Sequence, residues 1–312
     1  MRIAVYGSGG VGAYFGGRLA EAGNDVSFIA RGDHLKALQS KGLSISSIAG
    51  DFELKQVVAT ENPSEIGAVD YVICAVKSWQ MPMAAKAMKP LIGDNTLVIP
   101  LQNGVDAPDV LSDELGDEHV LGGLCALIAF KSAPGEIKHI GANPLIRFGR
   151  LDGKADSRVN LLSEVFNRCA GAKSSIPENI TRAMWQKFML ITPWSGLGAI
   201  SRAPIGILLQ QPETREVLTE AMQEILDLAT AKEIIMPDDM IANTLKLLDG
   251  FPSNSTTSMQ RDIESQKPSE LDYQNGTVVR LAKEFNLQVP VNRLIYYALR
   301  STELRARGAL KF

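Results

Sequence analysis

The sequence is poor in the residues that most enzymes use for metal and nucleophilic chemistry. It has three cysteines, Cys74, Cys125 and Cys169, spread over 312 residues. Their number is odd, the gaps are long and no CxxC occurs, which argues against a disulfide framework and against a zinc site. Histidine is equally scarce: His34, His119 and His139, with no HxxxH pair. A metal centre or a Ser-His-Asp hydrolase has little to be built from, and no metal is expected. Long hydrophobic runs are missing too. The longest apolar stretch, counting glycine, is Val120 to Phe130, ended by Lys131, against the roughly 20 residues a membrane span needs. At the N-terminus, Met1-Arg2-Ile3-Ala4-Val5-Tyr6-Gly7 runs straight into a strand and a glycine turn. No charged region followed by a long apolar one precedes it, so no signal peptide is expected. An excess of charge of one sign is the last absence. Lys+Arg number 32 and Asp+Glu 35, a net charge of −3. That balance gives no global case for binding nucleic acid or an anionic membrane, though a local basic pocket for a phosphorylated small molecule is compatible with it. The expectation is a cytoplasmic protein of a reducing compartment.

What is present is ordinary for a globular chain, with 45% hydrophobic and 21% charged residues. At about 150 residues per domain, the length suggests two domains. The first half alternates short apolar runs with helical patterns. Strands are predicted at Ile3 to Tyr6, Val26 to Ala30, Val69 to Val76, Leu97 to Leu101 and within Leu121 to Phe130. A helix is predicted over Val11 to Ala22, stopped by Gly23. Such alternation implies a parallel sheet covered on both faces. Gly135 to Phe148 reads as two short strands joined by a turn around Gly141-Ala142-Asn143-Pro144. From about Glu178 the pattern turns helical. Helices are predicted over Val217 to Ile235, Asp238 to Leu248, Ser269 to Phe285 and Val291 to Arg305, with breaks at Pro237, Gly250-Phe251-Pro252 and Pro290. The domain boundary falls near Ile176-Pro177, giving domains of 1–177 and 178–312.

Gly7-Ser8-Gly9-Gly10-Val11-Gly12 fits G-x-G-x-x-G. Alone the pattern is weak, but here it follows a strand and opens a helix, the context of a dinucleotide-binding Rossmann fold. Gly7 permits the tight turn, Gly9 lets a pyrophosphate approach the backbone, and Gly12 lets helix pack on strand. Ser8, Gly10 and Val11 complete the loop, whose helix N-terminus favours anions. The fold class is therefore α/β, an N-terminal Rossmann-type dinucleotide-binding domain followed by a C-terminal all-helical domain. About 20 residues on, an NAD enzyme presents an Asp or Glu to the ribose. This chain has Arg31 there, in Phe28-Ile29-Ala30-Arg31-Gly32, which suits the 2′-phosphate of NADP(H). A solvated loop arginine is the plainer alternative, and Asp33 lies nearby. Lys77 and Asn103 follow predicted strands at the sheet edge where ligands bind. For either alone, a turn role is the commoner explanation.

In the helix beginning near Glu178, Lys187 shares a face with Ala183 and Met184. On spacing alone this is a snorkelling lysine; the functional alternative is a proton donor facing a cleft. Glu270 sits in Lys267-Pro268-Ser269-Glu270-Leu271-Asp272. Ser269 and Asp272 would form a capping box there, placing Glu270 in the first turn of a helix. Favourable charge at a helix N-terminus would suffice to explain it, and a carboxylate presented to the cleft is the functional alternative.

Taken together the residues resemble the ketopantoate reductase (2-dehydropantoate 2-reductase) family over nearly the whole chain. The resemblance rests on Gly7 to Gly12, Arg31, Ala75-Val76-Lys77-Ser78-Trp79-Gln80, Gln102-Asn103-Gly104, Met184-Trp185-Gln186-Lys187, Ser258-Met259-Gln260-Arg261-Asp262 and Glu270-Leu271-Asp272-Tyr273. It implies NADPH-dependent reduction of ketopantoate to pantoate, in pantothenate and coenzyme A synthesis. Lys187 matches the family's catalytic lysine, which protonates the developing alkoxide, and Glu270 the acidic residue that helps place that lysine and the cofactor or substrate. Lys77 and Asn103 match cofactor-side residues, and Ser258 a serine contacting the substrate carboxylate. The family places asparagines four and eight residues after the lysine. This chain has Ile191 and Ser195 at those substrate-binding positions, and a further asparagine is replaced near Ile205. Losing amide donors weakens discrimination for a polyhydroxy substrate. Two alternatives follow: a related NADP-dependent reductase of another 2-oxo acid with a less polar pocket, or a non-catalytic NADP(H) sensor. The apolar positions of Val291 to Leu299 leave a homodimer open.

Overall fold

The computed structural model describes residues 1–311. The chain forms two compact units, one made of Met1–Gln102 with Ala107–Ile180, the other joining Asn103–Asp106 to the chain from Thr181 onward. The expected division at 177/178 thus falls three residues later. The short segment carrying Asn103 belongs with the second unit.

In chain order the first unit contains β1 (Arg2–Tyr6), α1 (Gly10–Glu21), β2 (Asp25–Ile29), α2 (Gly32–Lys41), β3 (Leu43–Ser47), β4 (Phe52–Leu54), β5 (Val58–Thr60), β6 (Tyr71–Cys74), α3 (Met81–Ala87), β7 (Leu97–Pro100), α4 (Ala107–Leu115), β8 (Leu121–Ala133), β9 (Glu136–Arg150), α5 (Ser157–Arg168) and β10 (Lys173–Ser175). Five strands form a sheet in the order β5-β2-β1-β6-β7, every pairing parallel. The chain starts in the centre, winds outward one way and then the other. A ligand site is expected at the carboxyl ends of β1 and β6, where the direction reverses. Side-chain alternation explains why the sheet is buried on both faces. Ile3, Val5, Tyr71 and Ile73 pack into one core with α1 and α5 residues; Ala4, Tyr6, Val72 and Cys74 pack into another with Met81, Ala85 and Leu111.

A second sheet runs β10-β9-β3-β4, with β8 paired antiparallel to β9. Here the expected pair of short strands over Gly135 to Phe148 is corrected: β9 is one strand of 15 residues. Ala142 does take a positive φ of 57°, but β8 shifts register opposite it, between Ala126 and Ile128 and again before Ala129. The disturbance is absorbed as a bulge instead of a reversal. His139 Nε2 lies 3.0 and 2.9 Å from the carbonyl oxygens of Gly141 and Ala142, satisfying the groups the bulge frees.

The second unit is helical: α6 (Ile180–Ser201), α7 (Ile205–Gln210), α8 (Pro212–Ala231), α9 (Met240–Asp249), α10 (Ser258–Glu264), α11 (Asn275–Glu284) and α12 (Pro290–Ala306). Trp185, Phe188, Met222, Ile225 and Val278 lie in its main core. Ile295 and Leu299 of α12 pack inside the unit, while Leu294 and Tyr297 are exposed. The helix expected over Ser269 to Phe285 is shorter, because α11 begins only at Asn275 after a single tight turn at Leu271–Tyr273. The expected capping box does not form. Asp272 accepts instead from Tyr296 Oη at 2.8 Å and from Arg300 Nη1 at 2.8 Å, and the Ser269 hydroxyl donates to Glu303. Among the described residues no helix is long and apolar enough to cross a membrane, and no cluster of three His, Cys, Asp or Glu could hold a metal ion.

Candidate functional site

The glycine loop between β1 and α1 divides its work by position. Gly7 has φ +100°, and a Cβ there would lie 2.7 Å from the Val76 backbone nitrogen. Only glycine lets β1 turn this close to the end of β6. A Cβ on Gly12 would lie 2.2 Å from the Gly7 carbonyl oxygen, so its absence lets α1 seat against the loop. Above Gly9 the situation reverses, since a Cβ would meet nothing within 4 Å. Gly9 is the N-cap of α1, with no side-chain cap and no acidic residue in the first turn. Space is therefore open above the N-cap, at the end of α1 where the helix dipole is positive. This cradle fits the pyrophosphate of a dinucleotide. Gly10 approaches the backbone of Ala129 and Phe130, and Val11 packs against the core. Ser8 contributes only backbone to the loop, because its hydroxyl donates to the Ile29 carbonyl at 3.0 Å.

Arg31 is exposed at the carboxyl end of β2, where it caps α2 in an extended conformation. The Tyr6 phenol nearby has a raised pKa, lifted by burial and partly drawn back by the Arg31 charge. Lys77 is half-buried after β6, with its ammonium 5.7 Å from the centre of the Trp79 ring.

Two residues support this edge in roles that were not read from the sequence. His34 is buried and its Nδ1 accepts from the Gly135 N–H at 3.0 Å. That fixes the proton on Nε2, which donates to the Ser8 carbonyl at 2.7 Å. Burial, opposed by the Ser8 hydrogen bond and aided by the Lys131 charge, holds this imidazole below its ordinary pKa. The buried Gln102 donates to the carbonyls of Cys74 and Val76 at 3.1 and 2.9 Å, tying the end of β7 to that of β6. Neither role has a local signature, because the partners lie 26 to 101 residues away.

In the second unit, Lys187 is half-buried on α6, next to Phe188 and one turn from Ala183 and Met184, all three buried. Ile191 is half-buried one turn on. Ser195, the next position on that face, is fully buried and its hydroxyl has no hydrogen-bond partner. Pro193 lies between them inside the helix and cannot donate to the carbonyl four residues back. Glu270 is 5% exposed at the start of the turn leading to α11. Asn103 lies in the segment attached beside that turn. A Cβ on Gly104 would sit 2.8 Å from the Tyr273 carbonyl, and Asp106 accepts from Thr277 and Arg280, both at 2.6 Å. Ser258 is the half-buried first residue of α10. Thr257, not Ser258, caps that helix, accepting from the Gln260 N–H. The cysteines offer no nucleophile: all three are buried and none is in a disulfide, and burial pushes the Cys74 thiol up to about 12.

Comparison with known proteins covers both units. Residues 3–153 match the family described as ketopantoate reductase PanE/ApbA, and residues 179–303 match its C-terminal counterpart. An uncharacterized oxidoreductase, YkpB, of Bacillus subtilis is 29% identical over 97% of this chain and 99% of its own. A 2-dehydropantoate 2-reductase of Nostoc is 27% identical over 98% of this chain and 96% of its own. Among solved structures, a PanE/ApbA family ketopantoate reductase from Ralstonia eutropha is 31% identical, with a TM-score of 0.88 over 98% of this chain and all of that one.

Proposed function

The chain belongs to the ketopantoate reductase family, and from that premise we propose that this oxidoreductase uses NADPH to reduce 2-dehydropantoate to pantoate, for pantothenate and coenzyme A. The cofactor, when bound, supplies the hydride for the carbonyl carbon. The cradle of Gly7 to Gly12 holds the pyrophosphate through backbone N–H groups, and Arg31 holds the 2′-phosphate. Lys77, Asn103 and Glu270 serve the cofactor side.

The chemistry of this chain is then proton management. A carbonyl that accepts hydride develops negative charge on oxygen. The Lys187 ammonium stabilises that charge and gives its proton to the oxygen, leaving a neutral hydroxyl. Glu270 helps to place the lysine, and Ser258 takes the substrate carboxylate. The observation that carries this assignment is the place of Lys187, a half-buried lysine on α6 with Met184 and Phe188 buried beside it.

A second substrate reading has its own support. Ile191 offers no hydrogen bond, and the Ser195 hydroxyl is enclosed. A pocket read by these positions suits a less polar 2-oxo acid better than a hydroxylated one. Steady-state NADPH consumption with ketopantoate and a graded panel of less polar 2-oxo acids separates the two. The expected result is turnover of ketopantoate. A preference for the apolar acids transfers the assignment to the second reading. Tight NADPH binding with no turnover of any of them makes the protein a sensor.

A further inference from the structure

Three side chains of α12 and that of its C-cap, Arg307, grip the turn that carries Glu270. They are Tyr296, Arg300, Glu303 and Arg307, spaced 4, 3 and 4 residues apart, which puts them on one stripe of the helix. Tyr296 and Arg300 hold Asp272. Glu303 and Arg307 hold Ser269, at the other end of the turn. The Ser269 N–H donates to both Glu303 carboxylate oxygens, at 3.0 and 3.1 Å, and its hydroxyl donates to one of them at 2.5 Å. Arg307 Nη2 donates to the Ser269 carbonyl at 2.9 Å, and Arg307 pairs with Glu303 at 2.6 Å. Ser269 Oγ in turn accepts from the Leu271 N–H at 3.2 Å. Both backbone groups of Ser269 and its hydroxyl are thus engaged, and Glu270 is the next residue.

The Glu303 carboxylate is 1% exposed. Burying a charge there is costly unless it is paired and hydrogen-bonded. Its ion-pair partner, Arg307, lies one turn on at the C-cap of the same helix and does not account for the bonds to Ser269. A structural role alone would be met as well by an apolar contact between α12 and the turn.

We propose that Glu303 is a positioning residue for Glu270: through Ser269 it fixes the backbone from which the Glu270 carboxylate is presented. This rests on the catalytic-site role of Glu270 proposed above. The test uses the full-length protein with Glu303→Gln, Glu270→Ala and the double variant, read by steady-state kinetics and by amide hydrogen exchange. Glu303→Gln is expected to speed exchange at Leu271 and its neighbours while the α8 core stays protected. It should lower kcat roughly tenfold or more with a smaller change in KM, as for loss of charge-assisted hydrogen bonds. The double variant should lose no more than Glu270→Ala alone, because the two act through one group. Ser269→Ala, which removes only the hydroxyl, should move both readouts the same way by less, and Ser269→Thr should restore them. Unchanged exchange at the turn, or additive losses in the double variant, would overturn the proposal. Full activity in Glu270→Ala would instead remove Glu270 from the site, while the exchange data still decide whether Glu303 holds the turn.

Discussion

Arg31 stands after β2, where an NAD enzyme presents a carboxylate to the ribose, so the proposed use of NADPH is tested at this residue. Replacing it with alanine is expected to raise KM for NADPH about tenfold or more, the loss of one or two charge-assisted hydrogen bonds, and to leave KM for NADH nearly unchanged. Equal effects on both cofactors would return Arg31 to the role of a loop residue. His34 gives a prediction of another kind. Its folded-state pKa is depressed by burial, so the unfolded chain takes up a proton that the folded one resists. The stability tied to neutral His34 is complete above the unfolded pKa of about 6.5 and is lost as pH falls through the folded value. Thermal unfolding of His34→Gln should therefore change less between pH 7.5 and 5 than that of the wild type. At this scale the sequence made the placement of Gly7, Gly12, Arg31 and Lys187 on their elements legible, because each stands at a fixed offset from a strand or on a helical stripe. The contacts of His34, Gln102 and Glu303 were not legible, since their partners are set by tertiary packing.

Elements were legible where local pattern and packing agree. The β1-α1-β2 start is such a case, with strand alternation, a glycine turn and Gly23 at φ +85° after α1 all pointing the same way. Local pattern failed where a distant element intervened. Asn143-Pro144 looks like a turn, yet β8 pairs along both sides of it and keeps β9 extended. Ser269 to Asp272 looks like a helix start, yet α12 takes both polar side chains and delays α11 to Asn275. The α1 element can be tested by two similar substitutions. Gly12→Ala places a methyl against a backbone carbonyl and should destabilise the fold by about 1–3 kcal/mol. Gly9→Ala meets nothing within 4 Å, so its unfolding temperature should stay near that of the wild type while NADPH binding weakens. Matched behaviour in both assays would deny that the space above Gly9 is a phosphate cradle.

Across the whole molecule, a net charge of −3 coexists with positive groups in chosen places. Arg31 and Lys77 stand at the carboxyl edge of the parallel sheet, and Lys187 among apolar neighbours of the helical unit. In the proposed reaction the scarcity of cysteine and histidine is no handicap, because a lysine would handle the proton and a nicotinamide the hydride. In the proposed reaction Lys187 is the proton donor of an NADPH-dependent 2-oxo-acid reductase. NADPH oxidation with ketopantoate by the wild type and by Lys187→Ala, with NADPH affinity measured alongside, tests that role. The predicted result is a fall in kcat of about 10²-fold or more with NADPH binding retained; equal rates for the two proteins would contradict it.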